Sequence, residues 1–111
     1  MNNLKKLIKI NSYENKDEII EFLVKELKNK AKEIKIVTNK ENTNKSLLIG
    51  INTQLADCFP IVLSGHLDTV SPSFEEYETD PFELTEKDGK FYGLGSIDMK
   101  SFAAVILDKF D

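Results

Sequence analysis

The stretch Ile61-Val62-Leu63-Ser64-Gly65-His66-Leu67-Asp68 joins a compact apolar run to a glycine and then to the only histidine of the chain. Three consecutive aliphatic residues after Pro60 suit a central β-strand buried on both faces. Open α/β sheets place their binding residues just beyond the carboxyl ends of such strands, which is where His66 falls. Asp68 lies two residues further on. In extended backbone, residues i and i+2 point to the same side. The Asp68 carboxylate can then accept a hydrogen bond from one imidazole nitrogen while the other is left to bind a metal ion. A second carboxylate, Asp98, stands where the bend Gly93-Leu94-Gly95 enters a helix, and the glycines let the backbone turn so that Asp98 faces the site.

Upstream, Leu4, Leu7 and Ile8 have helical spacing, which predicts a short helix over residues 3–10, broken at Asn11-Ser12. The clearest helix runs from Asn15 to Ala31. Ile20, Val24, Leu27 and Ala31 form one stripe with Ile19 and Leu23 beside it, Asn15 caps the start, and Asp17 and Glu18 suit the first turn. The period then changes to two: Ile34, Ile36 and Thr38 predict a strand, Asn39 to Lys45 a turn, and Ser46 to Ile51 a second strand. Asn52 to Phe59 and Thr69 to Pro81 read as loops. Phe82 and Leu84 predict a strand, Asp88-Gly89 a hairpin turn, and Phe91-Tyr92 the returning strand. Met99 to Phe110 reads as a helix with Phe102, Val105, Ile106 and Phe110 apolar. The resulting expectation is an α/β fold, helices flanking a mixed sheet. The last helix runs to Asp111 with no strand after it, so the sheet reads as unfinished and residues 1–111 as part of a catalytic, metal-binding domain.

The composition narrows the function. The chain has 111 residues, 31% of them charged, with a formal charge of -4, and its lysines alternate with acids, as in Lys25-Glu26 and Lys32-Glu33. That alternation marks solvated helix faces rather than a basic stripe, so nucleic-acid binding is not expected. No apolar run has the length of a membrane span, and Lys9 and Asn11 interrupt any signal-peptide core, which places the protein in the cytoplasm. Cys58 is the single cysteine and has no His or Cys neighbour in sequence, so it reads as a small, partly buried residue rather than a nucleophile. Gly93-Leu94-Gly95 also begins like a dinucleotide-binding loop, but Asp98 stands at the third glycine position, where its charge would repel a pyrophosphate. Glu75-Glu76 reads as a solvated feature of an acidic loop, and Lys100 as a lysine on a helix surface.

Ser64-Gly65-His66-Leu67-Asp68-Thr69-Val70 resembles the first metal motif of the dinuclear zinc amidohydrolases, the family of acetylornithine deacetylase, succinyl-diaminopimelate desuccinylase, aminoacylase and carboxypeptidase G. Asp80-Pro81-Phe82, then Asp88-Gly89-Lys90-Phe91-Tyr92-Gly93, Gly95 and Asp98-Met99-Lys100 resemble its second block. The resemblance is strongest from Ile61 to Leu107. It departs from the common pattern at Leu94, where many relatives carry arginine, at Ser101-Phe102, where many carry Gly-Gly, and at Tyr77, where tryptophan is frequent. Gly-Leu-Gly and the run Asp80 to Glu86 are similar to the acetylornithine deacetylase branch.

The resemblance implies a role for each matching residue. His66 would be a terminal ligand of one zinc ion, Asp98 would bridge two zinc ions, and Asp68 would be the catalytic-site residue that orients His66. Cobalt or manganese would also suit these ligands. The implied reaction is hydrolysis of the amide of a small N-acyl amino acid by a homodimeric cytoplasmic enzyme. The family's Glu-Glu general base and its remaining ligands fall outside these residues. Two protein ligands hold zinc weakly, since zinc sites use three or four, so the 111 residues are expected to be inactive alone. A non-catalytic remnant or interaction module is the competing expectation.

Overall fold

The computed structural model describes residues 1–53 and 57–110; residues 54–56 of the expected 52–59 loop, and Asp111, lie outside them. Within this span the protein is a small mixed α/β assembly of three helices and two separate two-stranded antiparallel sheets. Helix α1 covers Asn2–Lys9 and α2 covers Asp17–Leu27. The N-cap of α2 is Lys16 rather than the expected Asn15, whose side-chain oxygen accepts the Asp17 backbone N–H at 2.7 Å from one residue before the cap; the helix ends at Leu27, short of the expected Ala31, and Asp17 and Glu18 occupy its positive end. Strands β1 (Glu33–Thr38) and β2 (Lys45–Gly50) pair with Ile34 opposite Ile49 and Ile36 opposite Leu47. Asn39 closes their turn, its side-chain oxygen accepting the N–H groups of Thr43 and Asn44 at 2.9 Å.

The second hairpin joins β3 (Thr85–Lys87) to β4 (Lys90–Tyr92) through Asp88 and Gly89, whose φ values of 53° and 71° are those of a two-residue turn matched to strand twist. Phe82 and Leu84 precede β3 rather than form it; the pairing begins only at Thr85. A short 3₁₀ turn at Phe74–Glu76 carries the exposed Glu75-Glu76 pair, and α3 covers Lys100–Lys109.

The core lies among the helices. Leu7 and Ile10 at the end of α1, Ile19, Leu23 and Leu27 of α2, and Ala103, Ala104 and Leu107 of α3 form one buried cluster, with Ile34, Leu47 and Ile49 of the first hairpin packed against it. Helix α3 therefore buries the face of Lys100, Ala103, Ala104 and Leu107, while Val105 is 57% exposed. Two alanines and a lysine give that face a weak apolar signal, and the larger side chains lie elsewhere on the helix.

The expected central strand is the main correction. Residues 61–63 form no ladder, and Ile61, Val62 and Leu63 are 89%, 81% and 60% exposed. A strand buried on both faces needs neighbours on both edges and layers above and below it. The two hairpins, the only sheets among the described residues, pair within themselves and offer it neither. Cys58 is exposed rather than partly buried.

Candidate metal centre

Motif one reaches the site because Gly65 lets it press against the start of α3. A Cβ on Gly65 would stand 2.6 Å from Phe102 Cδ1 and 2.7 Å from Met99 Cε, closer than real contacts allow. The His66 backbone N–H then donates to Met99 Sδ at 3.4 Å. Motif two arrives through the bend at 93–99. Gly95 has φ +79°, a left-handed conformation open to glycine, and Thr69 and the Lys100 stem close over it.

These two approaches bring together residues 32 positions apart. His66 Nε2 lies 2.8 Å from Asp98 Oδ1. His66 Nδ1 lies 3.0 Å from the backbone carbonyl oxygen of Asp68 and 3.6 Å from its carboxylate. Asp68 thus stands beside the ring, and its carbonyl rather than its carboxylate makes the shorter contact. Spacing alone did not anticipate this, because residues 66–68 belong to no ladder and the alternation rule for strands does not bind them. Both ring nitrogens face acceptors, an arrangement satisfied by the doubly protonated imidazolium. The Asp98 hydrogen bond, and secondarily that of the Asp68 carbonyl, raises the His66 pKa above 6.5.

The donor set suits zinc in kind. A tetrahedral ion with ligand bonds of about 2.0–2.2 Å holds two ligand atoms roughly 3.4 Å apart. The 2.8 Å separation is shorter, that of a hydrogen bond. Both side chains are open to solvent, at 46% and 80% exposure. In number the set falls short: among the described residues no group of three or more His, Cys, Asp or Glu side chains converges as a metal site. His66, Asp68 and Asp98 line a shallow cleft of about 340 Å³ with Tyr77, Leu94 and Thr69. Thr69 is buried, and its Oγ1 has no hydrogen-bond partner among the described residues.

Two residues at the site's underside escaped the sequence reading. Lys100 is 1% exposed, not on the surface; its ammonium donates to the Ile10 carbonyl at 2.6 Å, and burial pushes its pKa down to about 8. Its place at i in the i, i+3, i+4, i+7 series with Ala103, Ala104 and Leu107 was the available signal. Ser12 is fully buried and donates to the Leu67 carbonyl at 2.7 Å; a serine in a helix break carries no such signal.

Residues 62–110, which hold all three site residues, match Peptidase family M20/M25/M40. The match to that family is confined to this segment, less than half of the chain. Forty-eight residues are 56% identical to the acetylornithine deacetylase of Pasteurella multocida (strain Pm70), covering 43% of this chain and 13% of that protein. The acetylornithine deacetylases of Buchnera aphidicola subsp. Acyrthosiphon pisum (strain Tuc7) and subsp. Schizaphis graminum match over the same length at 54% and 56% identity. The match thus spans 13% of the length of these curated relatives. No helix among the described residues is long and apolar enough to cross a membrane.

Proposed function

We propose that these residues supply one side of a dinuclear zinc centre in an enzyme that hydrolyses the amide of an N-acyl amino acid, with N-acetylornithine the preferred substrate class. The observation that carries this reading is the 2.8 Å approach of His66 Nε2 to Asp98 Oδ1, made by two motifs that each resemble the family's metal motifs. The similarity of residues 62–110 to acetylornithine deacetylases supports the choice of substrate class.

In this reading the Asp68 carbonyl accepts the Nδ1 proton of His66 and so holds the imidazole with Nε2 free to donate its electron pair. The proton of the Nε2–Asp98 hydrogen bond would have to leave for the two side chains to serve as ligands. Asp98 would hold zinc through its carboxylate beside His66. Bound zinc would supply Lewis acidity toward the substrate carbonyl and acidify a water molecule. The general base and the other ligands are assigned to residues beyond 1–111, and the homodimer expected from the resemblance belongs to that longer protein.

The test is zinc calorimetry on the 111-residue chain, with amidase assays on it and on its extended reading frame. Weak zinc binding lost in both His66→Ala and Asp98→Ala, and N-acetylornithine hydrolysis by the extended protein alone, is the expected result. Zinc binding untouched by both substitutions sinks the assignment.

A further inference from the structure

His66 and Asp98 are exposed, so little packing of their own side chains fixes the distance between them. Their separation is set by the backbone beneath. That backbone is held from below by one short segment, Ile10–Ser12, between α1 and α2. The Ser12 hydroxyl donates to the carbonyl of Leu67, the residue between His66 and Asp68. Two residues earlier, the Ile10 carbonyl accepts the Lys100 ammonium, two residues beyond Asp98. Lys100 also donates its backbone N–H to Gly95 at 2.8 Å, and its stem lies against Gly95, where a Cβ would meet Cγ and Cδ at 3.2 Å.

We propose that Ser12 and Lys100 are positioning residues: through the Ile10–Ser12 strap, one hydrogen bond to each motif, they set the His66–Asp98 separation and thereby the affinity of the site for zinc. The strap lies outside residues 62–110, the segment matched to the family. The Lys100 bond is buried and the Ser12 bond partly so, and a buried donor or acceptor left unpaired costs about 1–3 kcal/mol. The strap therefore resists sliding, and a displacement of either motif has to break one bond. Ile10, 6% exposed within the core cluster, ties the strap to all three helices. The inference rests on His66 and Asp98 being metal ligands.

Its test uses the full 111-residue chain with Ser12→Ala, Lys100→Met and, as a control, Leu27→Ala in the last turn of α2. Three quantities are measured: imidazole ¹⁵N resonances at fixed pH, zinc affinity and the urea midpoint. His66 is the sole histidine, so the imidazole spectrum reports one residue. Ser12→Ala and Lys100→Met are expected to shift those resonances and to weaken zinc binding about 10-fold. Leu27→Ala is expected to lower the urea midpoint and leave the other two quantities unchanged. Should Ser12→Ala fail to fold, Ser12→Cys, close in size and a weak donor, takes its place. A folded Ser12 variant with wild-type resonances and zinc affinity overturns the strap, as does an equal effect in Leu27→Ala. If the wild-type chain binds no zinc, the metal assignment fails, and the metal-free imidazole resonances still decide whether the strap holds His66.

Discussion

His66 Nε2 and Asp98 Oδ1 are hydrogen-bonded at 2.8 Å, and Nδ1 of the same ring lies 3.0 Å from the Asp68 carbonyl oxygen. The first hydrogen bond is the larger cause of the raised His66 pKa. Asp98→Asn should therefore bring the His66 midpoint down, as read from its single set of imidazole resonances in an NMR titration without metal. A group whose pKa is raised on folding stabilises the fold below its unfolded value of 6.5 and loses that contribution as pH climbs through the folded value. With both side chains largely in water, the loss is small. An unchanged midpoint in Asp98→Asn would contradict the pairing.

Lys100 gives the opposite dependence. Its proton is held more weakly in the folded chain, at about 8, than in the unfolded chain, at 10.5. The burial penalty is complete below pH 8 and is relieved as pH rises toward 10.5, so stability should increase over that interval, by up to roughly 3 kcal/mol. Urea midpoints taken from pH 8 to 10 should rise in the wild type and rise less in Lys100→Met.

Gly65→Ala places a methyl group where Phe102 and Met99 already stand. Destabilisation of about 1–3 kcal/mol is expected from overpacking, measured by urea unfolding. Combining it with Phe102→Leu should recover part of the loss, because the ring supplies the closest contact.

Leu107 is 2% exposed in the cluster shared by the three helices. Leu107→Ala should cost about 2–5 kcal/mol and, in a domain of this size, lower the thermal midpoint by several degrees per kcal/mol. A loss under half that minimum would place the weight of the core elsewhere.

Phe59, Ile61 and Val62 are 99%, 89% and 81% exposed and carry no charge between them. An unpaired apolar stretch of this kind templates association between chains. Light scattering of the purified chain should show concentration-dependent association that Val62→Lys reduces. A wild-type chain that stays monodisperse at high concentration counts against it.

Much of this was legible from the residues, for reasons that differ by element. The period of Leu4, Leu7 and Ile8, the apolar stripe of α2 and the turn Asp88-Gly89 act locally, so sequence alone predicts α1, the body of α2 and the turn of the second hairpin. The run Ile61–Leu63 has a strand's composition, but strand formation depends on partners, and none among the described residues pairs with it. His66 and Asp98 were marked by their motifs, and the structure brings them together. The contact of the Asp68 carbonyl with His66 and the burial of Ser12 depend on how distant segments lie together and leave no local trace in composition or period, while Lys100 shows only the helical spacing of the face it shares.

The docking of α1 on α3 also governs when the site can exist. Asn3 and Asp108, 105 residues apart, are joined at 2.6 Å, and Lys100 reaches Ile10 across 90 residues. Closing a loop that long costs roughly 4 kcal/mol of chain entropy before those contacts offset it. In the strap proposal the pairing of His66 with Asp98 depends on the same docking, through the bonds of Ser12 and Lys100. Zinc should slow unfolding of the chain more than it speeds folding, the behaviour of a contact made after the transition state.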